Sequence, residues 1–265
     1  MKKIFLCLIL IVVLISCSKV PISGRRQVNL LPESTLMSMS LTSYRDFLSK
    51  STVVPATDAQ AQMVKRVGQN ISKAVETYMR QKKLTKKIKN FKWEFNLVND
   101  KTVNAWCMPG GKVAVYTGLL PVTMDETGLA VVMGHEIAHA IARHGNERMS
   151  QQLVVALGGV GLAIAISEKP KETQDLFLSS YGIGSTLGVL KYSRTHESEA
   201  DKLGLVFMAM AGYDPQQAVG FWERMAAQSG GPNLPQLIST HPSDATRIKD
   251  IKAFLPRAMK YYKPL

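Results

Sequence analysis

The stretch His135-Glu136-Ile137-Ala138-His139 decides the architecture of this chain. On a helix, two imidazoles four residues apart lie about 40° apart around the axis, so both can face one metal ion. Glu136 lies about 100° around from His135 and can reach a water molecule beside that ion without occupying a coordination position. This H-E-x-x-H spacing is typical of zinc-dependent peptidases. It predicts a helix that carries two zinc ligands, His135 and His139, and a catalytic base, Glu136.

A third protein ligand is needed, because catalytic zinc usually has three of them and one open position. The segment Arg194–Asp201 (RTHESEAD) offers several candidates. On a helix, Glu197 and Asp201 share a face, whereas Glu199 lies about 200° and His196 about 100° away from Glu197. We therefore predict Glu197 as the third ligand of one Zn²⁺ per chain. Asp201 is expected to accept a hydrogen bond from a ligating histidine and so to fix its tautomer.

The pattern of apolar residues predicts a mainly helical α+β domain with a small β-sheet beside the metal helix. Alternation indicates one strand at Phe91–Val98, and a second strand, Lys112–Thr117, follows the turn Pro109-Gly110-Gly111. His144 is interpreted as a helix-face or capping imidazole rather than a ligand. The expected helices are 33–48, 58–81, 126–151, 197–212, 215–228 and 243–259.

Two apolar stretches contain glycines, Leu153–Ile166 and Tyr181–Leu190. A close-packed helix pair under the metal helix is the favoured interpretation. A mobile lid or a membrane-touching flap over the site is the alternative.

The N-terminus predicts export. Met1-Lys2-Lys3 precedes an apolar run of twelve residues, Ile4–Ile15. A membrane-spanning helix needs about 20 residues, so this run is too short to be one. The run fits a secretory signal and ends in Ser16-Cys17, which resembles the lipobox of bacterial lipoproteins. The expected organisation is a signal peptide at 1–16, a lipidated tether at 17–30 that begins with acylated Cys17, and a metallopeptidase domain at 31–265.

Composition agrees with a folded, exported protein. Hydrophobic residues make up 46% and charged residues 20% of the 265, which is ordinary for a globular chain. The net charge of +13 would suit nucleic acid, but export disfavours that partner. Of three cysteines, Cys7 leaves with the signal and Cys17 is acylated, so Cys107 has no partner for an internal disulfide.

Four local motifs, in order, resemble one family. The chain is similar to the secreted lipoprotein branch of the HtpX- and BepA-like zinc metallopeptidases, relatives of the CAAX prenyl proteases, over roughly residues 20 to 255. The resemblance implies a zincin-like domain with Glu197 as the third zinc ligand. Its motifs are Asn104-Ala105-Trp106 with Pro109-Gly110-Gly111, His135–His144 as H-E-x-x-H-x-x-x-R-H, Glu197–Asp201 as E-x-x-x-D, and His241-Pro242 with Arg247.

The resemblance also implies that His241 lies near the zinc. There it occupies the open coordination position and keeps the enzyme latent, or else His241 or Arg247 stabilises the oxyanion. The alternative is a purely structural loop histidine at a helix start before Pro242. The substrate is expected to lie extended against the second strand and to pair backbone to backbone with it. The residues expected to line this site are Asn104, Val113, Ala114 and Val115.

The expected function is a zinc-dependent endopeptidase that cleaves unfolded or misassembled proteins, including outer-membrane proteins, in the bacterial cell envelope. Its expected location is a lipid-anchored position at the periplasmic face of the outer membrane. The alternative is a metal-stabilised chaperone or scaffold in which proteolysis is latent or absent. A zinc hydrolase that acts on a non-peptide amide is a third, less favoured class.

Overall fold

The computed structural model describes residues 17–157, 170–181, 192–227, 235–241 and 245–264. The mainly helical α+β prediction is confirmed. The elements are β1 (Cys17–Lys19), β2 (Arg26–Val28), α1 (Glu33–Lys50), α2 (Ala59–Gln81), β3 (Glu94–Val98), β4 (Ala105–Met108), β5 (Lys112–Tyr116), α3 (Leu120–Thr123), α4 (Glu126–Ala142), α5 (His144–Leu157), α6 (Pro170–Ser180), α7 (Arg194–Met210), α8 (Gln217–Ala227), α9 (Gln236–Thr240) and α10 (Ala245–Ala258), with short 3-10 turns at Thr85–Lys87, Thr117–Leu119 and Met259–Tyr261.

Helix α4 carries the H-E-x-x-H motif through the middle of the core. It begins at Asp125, whose carboxylate accepts a hydrogen bond from the backbone N–H of Gly128 at 2.8 Å, as an N-cap residue does. Every residue from Gly128 to Ala142 is buried. A helix that is apolar on all sides belongs in a core, so the metal-binding motif is surrounded by protein rather than by solvent.

Helices α4 and α7 cross at two glycines, and this crossing brings the two parts of the site together. A Cβ on Gly204 would lie 2.9 Å from the backbone nitrogen of His135, and a Cβ on Gly134 would lie 3.0 Å from the carbonyl oxygen of Gly204. No larger side chain fits without moving backbone. The close approach places Glu197 of α7 opposite the histidines of α4.

The long helix predicted for 126–151 is wrong, because the structure has two helices there. Arg143 adopts a left-handed conformation, φ 63° and ψ 31°, which ends α4 at Ala142 and lets α5 begin at His144. Arg143 Nε also lies 3.0 Å from the carboxylate of Glu33, a contact that holds the break in place. His144 consequently lies at the start of a new helix rather than on the far side of α4.

The sheet has three strands in the order β3-β5-β4. Strand β3 runs parallel to β5 and β4 runs antiparallel to it, so β5 is the central strand. Both strands predicted from the sequence exist, although β3 begins three residues later than expected, at Glu94. Side chains of alternate residues, such as Val113 and Ala114, enter two different hydrophobic clusters, so both faces of the sheet are buried.

The residues expected to form a tether are folded onto the domain. Strands β1 and β2 pair as an antiparallel hairpin, Val20 is 1% exposed, and Gln27 is 2% exposed. Cleavage before Cys17 and its acylation stay predictions, because residues 1–16 lie outside the described residues. Most of the two glycine-containing stretches, 158–166 and 182–190, lies outside them as well.

Among the helices that the structure describes, none combines the length and the apolarity needed to cross a bilayer.

The helix crossing predicts that Gly204→Ala destabilises the fold. A methyl group 2.9 Å from a backbone nitrogen forces α7 away from α4, and overpacking of this kind costs about 1–3 kcal/mol. Urea unfolding of the metal-free protein measures it. Gly220→Ala in α8 is the matched control, since its nearest neighbour would be the Arg224 guanidinium at 3.5 Å and alanine favours a helix. Equal stability of the two variants would contradict the steric account.

Candidate metal centre

Four side chains from three parts of the chain converge on one buried point. Helix α4 supplies His135 and His139, α7 supplies Glu197, and His241 follows α9. One potential ligand atom from each lies within 4.8 Å of the others, and all four residues are buried. The Nε2 atoms of His135 and His139 are 3.0 Å apart, and the Nδ1 atom of His241 is 3.2 Å from His135 Nε2 and 2.9 Å from Glu197 Oε1.

Hydrogen bonds behind the histidines orient their lone pairs toward this point. His135 Nδ1 lies 2.9 Å from Asp201 Oδ1, so it donates its proton there and leaves Nε2 as an acceptor. His139 Nδ1 lies 2.9 Å from His144 Nδ1, and His144 Nε2 lies 3.0 Å from Glu199 Oε2. When His144 donates to the carboxylate, its Nδ1 accepts from His139, which again leaves Nε2 as an acceptor.

A divalent cation fits this arrangement. Two imidazole lone pairs 3.0 Å apart beside a carboxylate repel one another unless a positive charge lies between them. Zinc with bonds of 2.0–2.1 Å to four tetrahedral ligands holds the ligand atoms about 3.3 Å apart. The nearer pairs of ligand atoms are 2.9 Å to 3.5 Å apart, and all four atoms lie within 4.8 Å of one another.

Glu136 lies beside the cluster without belonging to it. Its Oε1 atom is buried, has no hydrogen-bond partner among the described residues, and lies 3.5 Å from His241 Nε2. Burial raises the pKa of this carboxyl above its ordinary value. A carboxylate with a raised pKa and an unsatisfied oxygen is a stronger proton acceptor than an exposed one, as a general base must be.

The pKa values of the buried ligand side chains are shifted in different directions. Burial lowers the pKa of His139 well below its ordinary value, which keeps the ring neutral and able to bind a metal. Burial opposes ionisation of Glu197, but His241 and Arg247 outweigh it and hold the pKa of this carboxyl well below its usual range. For His135, burial lowers the pKa, but the hydrogen bonds to Asp201 and Glu197 outweigh it and raise the pKa to about 9 in the absence of a metal.

Arg247 contacts two carboxylates of the site, and its expected role at the oxyanion stays a prediction. Its Nε and NH2 atoms donate to both oxygens of Asp201, at 2.8 Å and 2.7 Å, and NH1 lies 2.9 Å from Glu197 Oε2. The guanidinium also stacks 3.5 Å from the centroid of the Trp222 ring. A buried guanidinium that donates to two carboxylates orients them, and NH1 also donates to the backbone carbonyl of His241 at 3.3 Å. Asp201 contacts His135 in the geometry expected of a tautomer-fixing acceptor, although its role stays a prediction.

The sequence interpretation missed a polar network on the far side of His139. Glu199 does point away from Glu197, as helical geometry predicted, but it is buried against His144 rather than exposed. His196 Nε2 donates to Glu147 Oε2 at 2.9 Å. The break at Arg143 hid this network, because a continuous helix would have carried His144 away from His139.

The expected substrate strand is wrong. Val113, Ala114 and Val115 belong to β5, whose two backbone edges already pair with β3 and β4, so a peptide cannot add to it. The edge strand next to α4 is β4. Because Tyr116 donates its backbone N–H to the carbonyl of Asn104 at 3.1 Å, the alternation of an antiparallel ladder directs the backbone of Ala105 and Cys107 toward the other edge.

Comparison with known proteins agrees with the site. Residues 65–255 match the model of peptidase family M48. The chain is 35% identical over 243 residues to the mitochondrial metalloendopeptidase OMA1 of Schizosaccharomyces pombe, which covers 90% of this chain and 66% of that protein. It is 30% identical over 250 residues to the mitochondrial OMA1 metalloendopeptidase of Homo sapiens (91% of this chain, 46% of that protein) and 31% identical over 164 residues to a beta-barrel assembly-enhancing protease of Yersinia pestis (60% and 34%). The chain therefore spans two thirds or less of the length of these relatives.

The comparisons contradict the expected location at the periplasmic face of an outer membrane. The relatives that match about nine tenths of this chain carry mitochondrial names. Twelve apolar residues before a cysteine therefore do not by themselves identify a bacterial envelope lipoprotein.

The converging lone pairs predict that zinc stabilises the protein. At a free zinc concentration 1,000 times the dissociation constant, the free energy of unfolding should rise by about 4 kcal/mol. His139→Ala removes a ligand and should abolish that increase, which thermal unfolding with and without zinc measures. His196→Ala is the control, because this imidazole is equally buried but lies outside the ligand cluster, and its zinc-dependent increase should remain. A zinc response that survives in His139→Ala would contradict the assignment of the site.

Proposed function

The chain belongs to peptidase family M48, whose members are zinc-dependent metallopeptidases, and on that premise we propose that it is an endopeptidase that cleaves unfolded or misassembled proteins. The observation that carries the proposal is the buried Glu136 carboxylate beside three converging metal-ligand side chains. A metal site that is only structural has no need of a base between its two histidines.

His135, His139 and Glu197 would hold the zinc. A zinc ion bound there would supply a Lewis acid that polarises the scissile carbonyl and lowers the pKa of water. Glu136 accepts the proton of the attacking water and passes it to the leaving amine, a role that its raised pKa supports. Asp201 and Arg247 keep His135 and Glu197 in place during the reaction.

The substrate would add to β4 as an extended strand. The Ala105 carbonyl and the backbone groups of Cys107 lie on this edge and can pair with it, whereas the Ala105 N–H already donates to Asn104 Oδ1 at 3.0 Å. Strand β4 packs directly against the helix that carries Glu136. Pairing of this kind recognises the substrate through backbone hydrogen bonds more than through its side chains. It therefore suits a protease whose substrates are recognised by exposed, unpaired strands, and not by a particular residue.

His241 favours a latent enzyme. Its Nδ1 atom lies among the ligand atoms, where a fourth ligand would be, and its Nε2 atom faces Glu136 at 3.5 Å. The ring is 3% exposed and stacks on Tyr192 with centroids 5.0 Å apart. In this position His241 takes the place that water and the scissile carbonyl need, and cleavage would require it to leave.

The rival function is a chaperone or scaffold stabilised by its metal. A site closed by four protein ligands resembles a structural zinc site, and that likeness is the observation in its favour. It predicts zinc binding without cleavage in any variant.

Glu136→Gln separates the enzyme from the scaffold. The amide keeps the size of the side chain but cannot accept the proton, so cleavage should fall by about 10²- to 10⁴-fold while zinc content is unchanged. The measurement is hydrolysis of casein and of a quenched fluorescent peptide by the full-length protein in detergent. Glu223→Gln, at an exposed residue of α8 paired with Lys252, is the control and should cleave normally. Full activity of Glu136→Gln would overturn the proposed mechanism.

His241→Ala tests latency in the same assay. Removal of the imidazole opens the fourth position while three ligands remain, so cleavage should increase and the zinc content should be kept. Free imidazole should then inhibit this variant more strongly than wild type, because it can refill the vacated position. Loss of cleavage with zinc retained would instead assign His241 to the oxyanion. Zinc binding without cleavage by either wild type or His241→Ala would favour the scaffold.

A further inference from the structure

The N-terminal hairpin contributes a side chain to the network behind the metal site. Arg25, just before β2, donates from NH1 and NH2 to the two oxygens of Glu147 of α5, at 2.7 Å each. Its Nε and NH2 atoms donate to the two oxygens of Glu199 of α7, both at 3.0 Å. All three nitrogens of one guanidinium are therefore used to join two helices.

Glu199 connects this guanidinium to a zinc-ligating residue. The oxygen of Glu199 that accepts from Arg25 NH2 also lies 3.0 Å from His144 Nε2. His144 in turn lies 2.9 Å, Nδ1 to Nδ1, from His139. Each link is a hydrogen bond between groups that are buried or partly buried, so the position of Arg25 bears on the ring of His139 through two intermediates.

The hairpin is fixed at the same end of the metal helix by a second contact. Gln27 donates from Nε2 to the carbonyl of Ala142 at 2.7 Å, which satisfies one of the orphan carbonyls at the C-terminus of α4. His139 is three residues before Ala142 in that helix. The hairpin therefore contacts the last turn of α4 in two ways. Gln27 binds its backbone at Ala142, and Arg25 is linked through Glu199 and His144 to the side chain of His139.

Removal of the guanidinium leaves two carboxylates without their shared cation. Oxygens of Glu147 and Glu199 lie 2.7 Å and 3.0 Å from the same Arg25 NH2 atom, so without it the two negative charges repel at close range. Glu199 would then turn away from His144, and His144 would lose the partner that fixes its tautomer. A lysine cannot replace the guanidinium, because its three N–H groups are on one nitrogen and cannot reach the four oxygens that three separate nitrogens of Arg25 contact.

We propose that Arg25 is a positioning residue for the metal site, which holds Glu199 and His144 so that His139 presents Nε2 to the zinc. Docking of the N-terminal hairpin then sets zinc affinity, and detachment of the hairpin releases the metal more readily. The inference rests on the proposed function only in that the cluster binds zinc. It does not depend on cleavage.

The test is zinc affinity, measured by competition with a chelator on full-length protein in detergent. Arg25→Ala should bind zinc about 10- to 100-fold more weakly than wild type, the range found for partners of metal ligands. Arg25→Lys should be weakened several-fold, and it decides the question if Arg25→Ala does not fold. Arg26→Ala is the matched control, because it removes the same charge from the next, exposed position and should bind zinc normally.

A double-mutant cycle identifies the route. If Arg25 acts through His144, then Arg25→Ala should weaken zinc binding in wild type but have no further effect in a His144→Ala background. Nitrogen-15 chemical shifts of the His139 ring should report the Nδ1-protonated tautomer in wild type and a mixture in Arg25→Ala. An Arg25→Ala protein that is less stable but binds zinc as tightly as wild type would overturn the proposal, as would unaltered binding in Arg25→Lys. If Glu136→Gln kept full cleavage, the proposed function would be wrong, but the zinc-affinity test of Arg25 would still be valid.

Discussion

The repulsion among buried electron pairs is the constraint on which the rest of the structure depends. Two imidazole nitrogens 3.0 Å apart and the Glu197 carboxylate are held together in a buried site. Groups brought so close cost free energy unless a cation lies between them, and a fold that tolerates this cost must fix each group from behind. Asp201 does so for His135, His144 for His139, and Arg247 for Glu197. This requirement accounts for three of the buried polar residues, Asp201, His144 and Arg247.

The apolar part of the fold serves the same end. Glycines at the crossing of α4 and α7 let two helices approach until their backbones nearly touch, so the carboxylate of one can meet the imidazoles of the other. The left-handed residue Arg143 then turns the chain at the end of α4 and returns His144 to His139. A straight helix could not do this, because residues five apart on a helix do not share a face. The strained residue is therefore what makes the second imidazole available as a partner of the first.

The sequence was informative where the chemistry is local and misleading where it depends on chain reversal. A fixed helical spacing predicted that His135 and His139 share a face, and that Glu197 and Asp201 share another. It gave no sign of the helix break at Arg143, since arginine has no special preference for a left-handed conformation, and the network of His144, Glu199 and Arg25 stayed hidden. The alternation of Lys112–Thr117 predicted a strand but not its place in the sheet, because periodicity does not distinguish a central strand from an edge. Contacts such as Arg25 to Glu199, separated by 174 residues, arise from tertiary packing alone.

The fourth position of the cluster raises the question of how one site can be both stable and reactive. Four protein ligands satisfy the electron pairs most fully, so the closed arrangement with His241 is the stable one, but it leaves no place for water or a carbonyl. When only three protein ligands remain, the fourth position is open. The three ligands must then be held more firmly by residues outside the cluster, because they no longer contact His241. His135, His139 and Glu197 each have a side-chain partner outside the cluster, whereas the His241 ring stacks on Tyr192 and otherwise contacts the cluster and Glu136. The backbone of His241 is held separately, because its N–H donates to the Leu237 carbonyl and its own carbonyl accepts from Arg247. In the proposed latent enzyme, the ligand that must move is therefore the one whose ring can turn while its backbone stays in place.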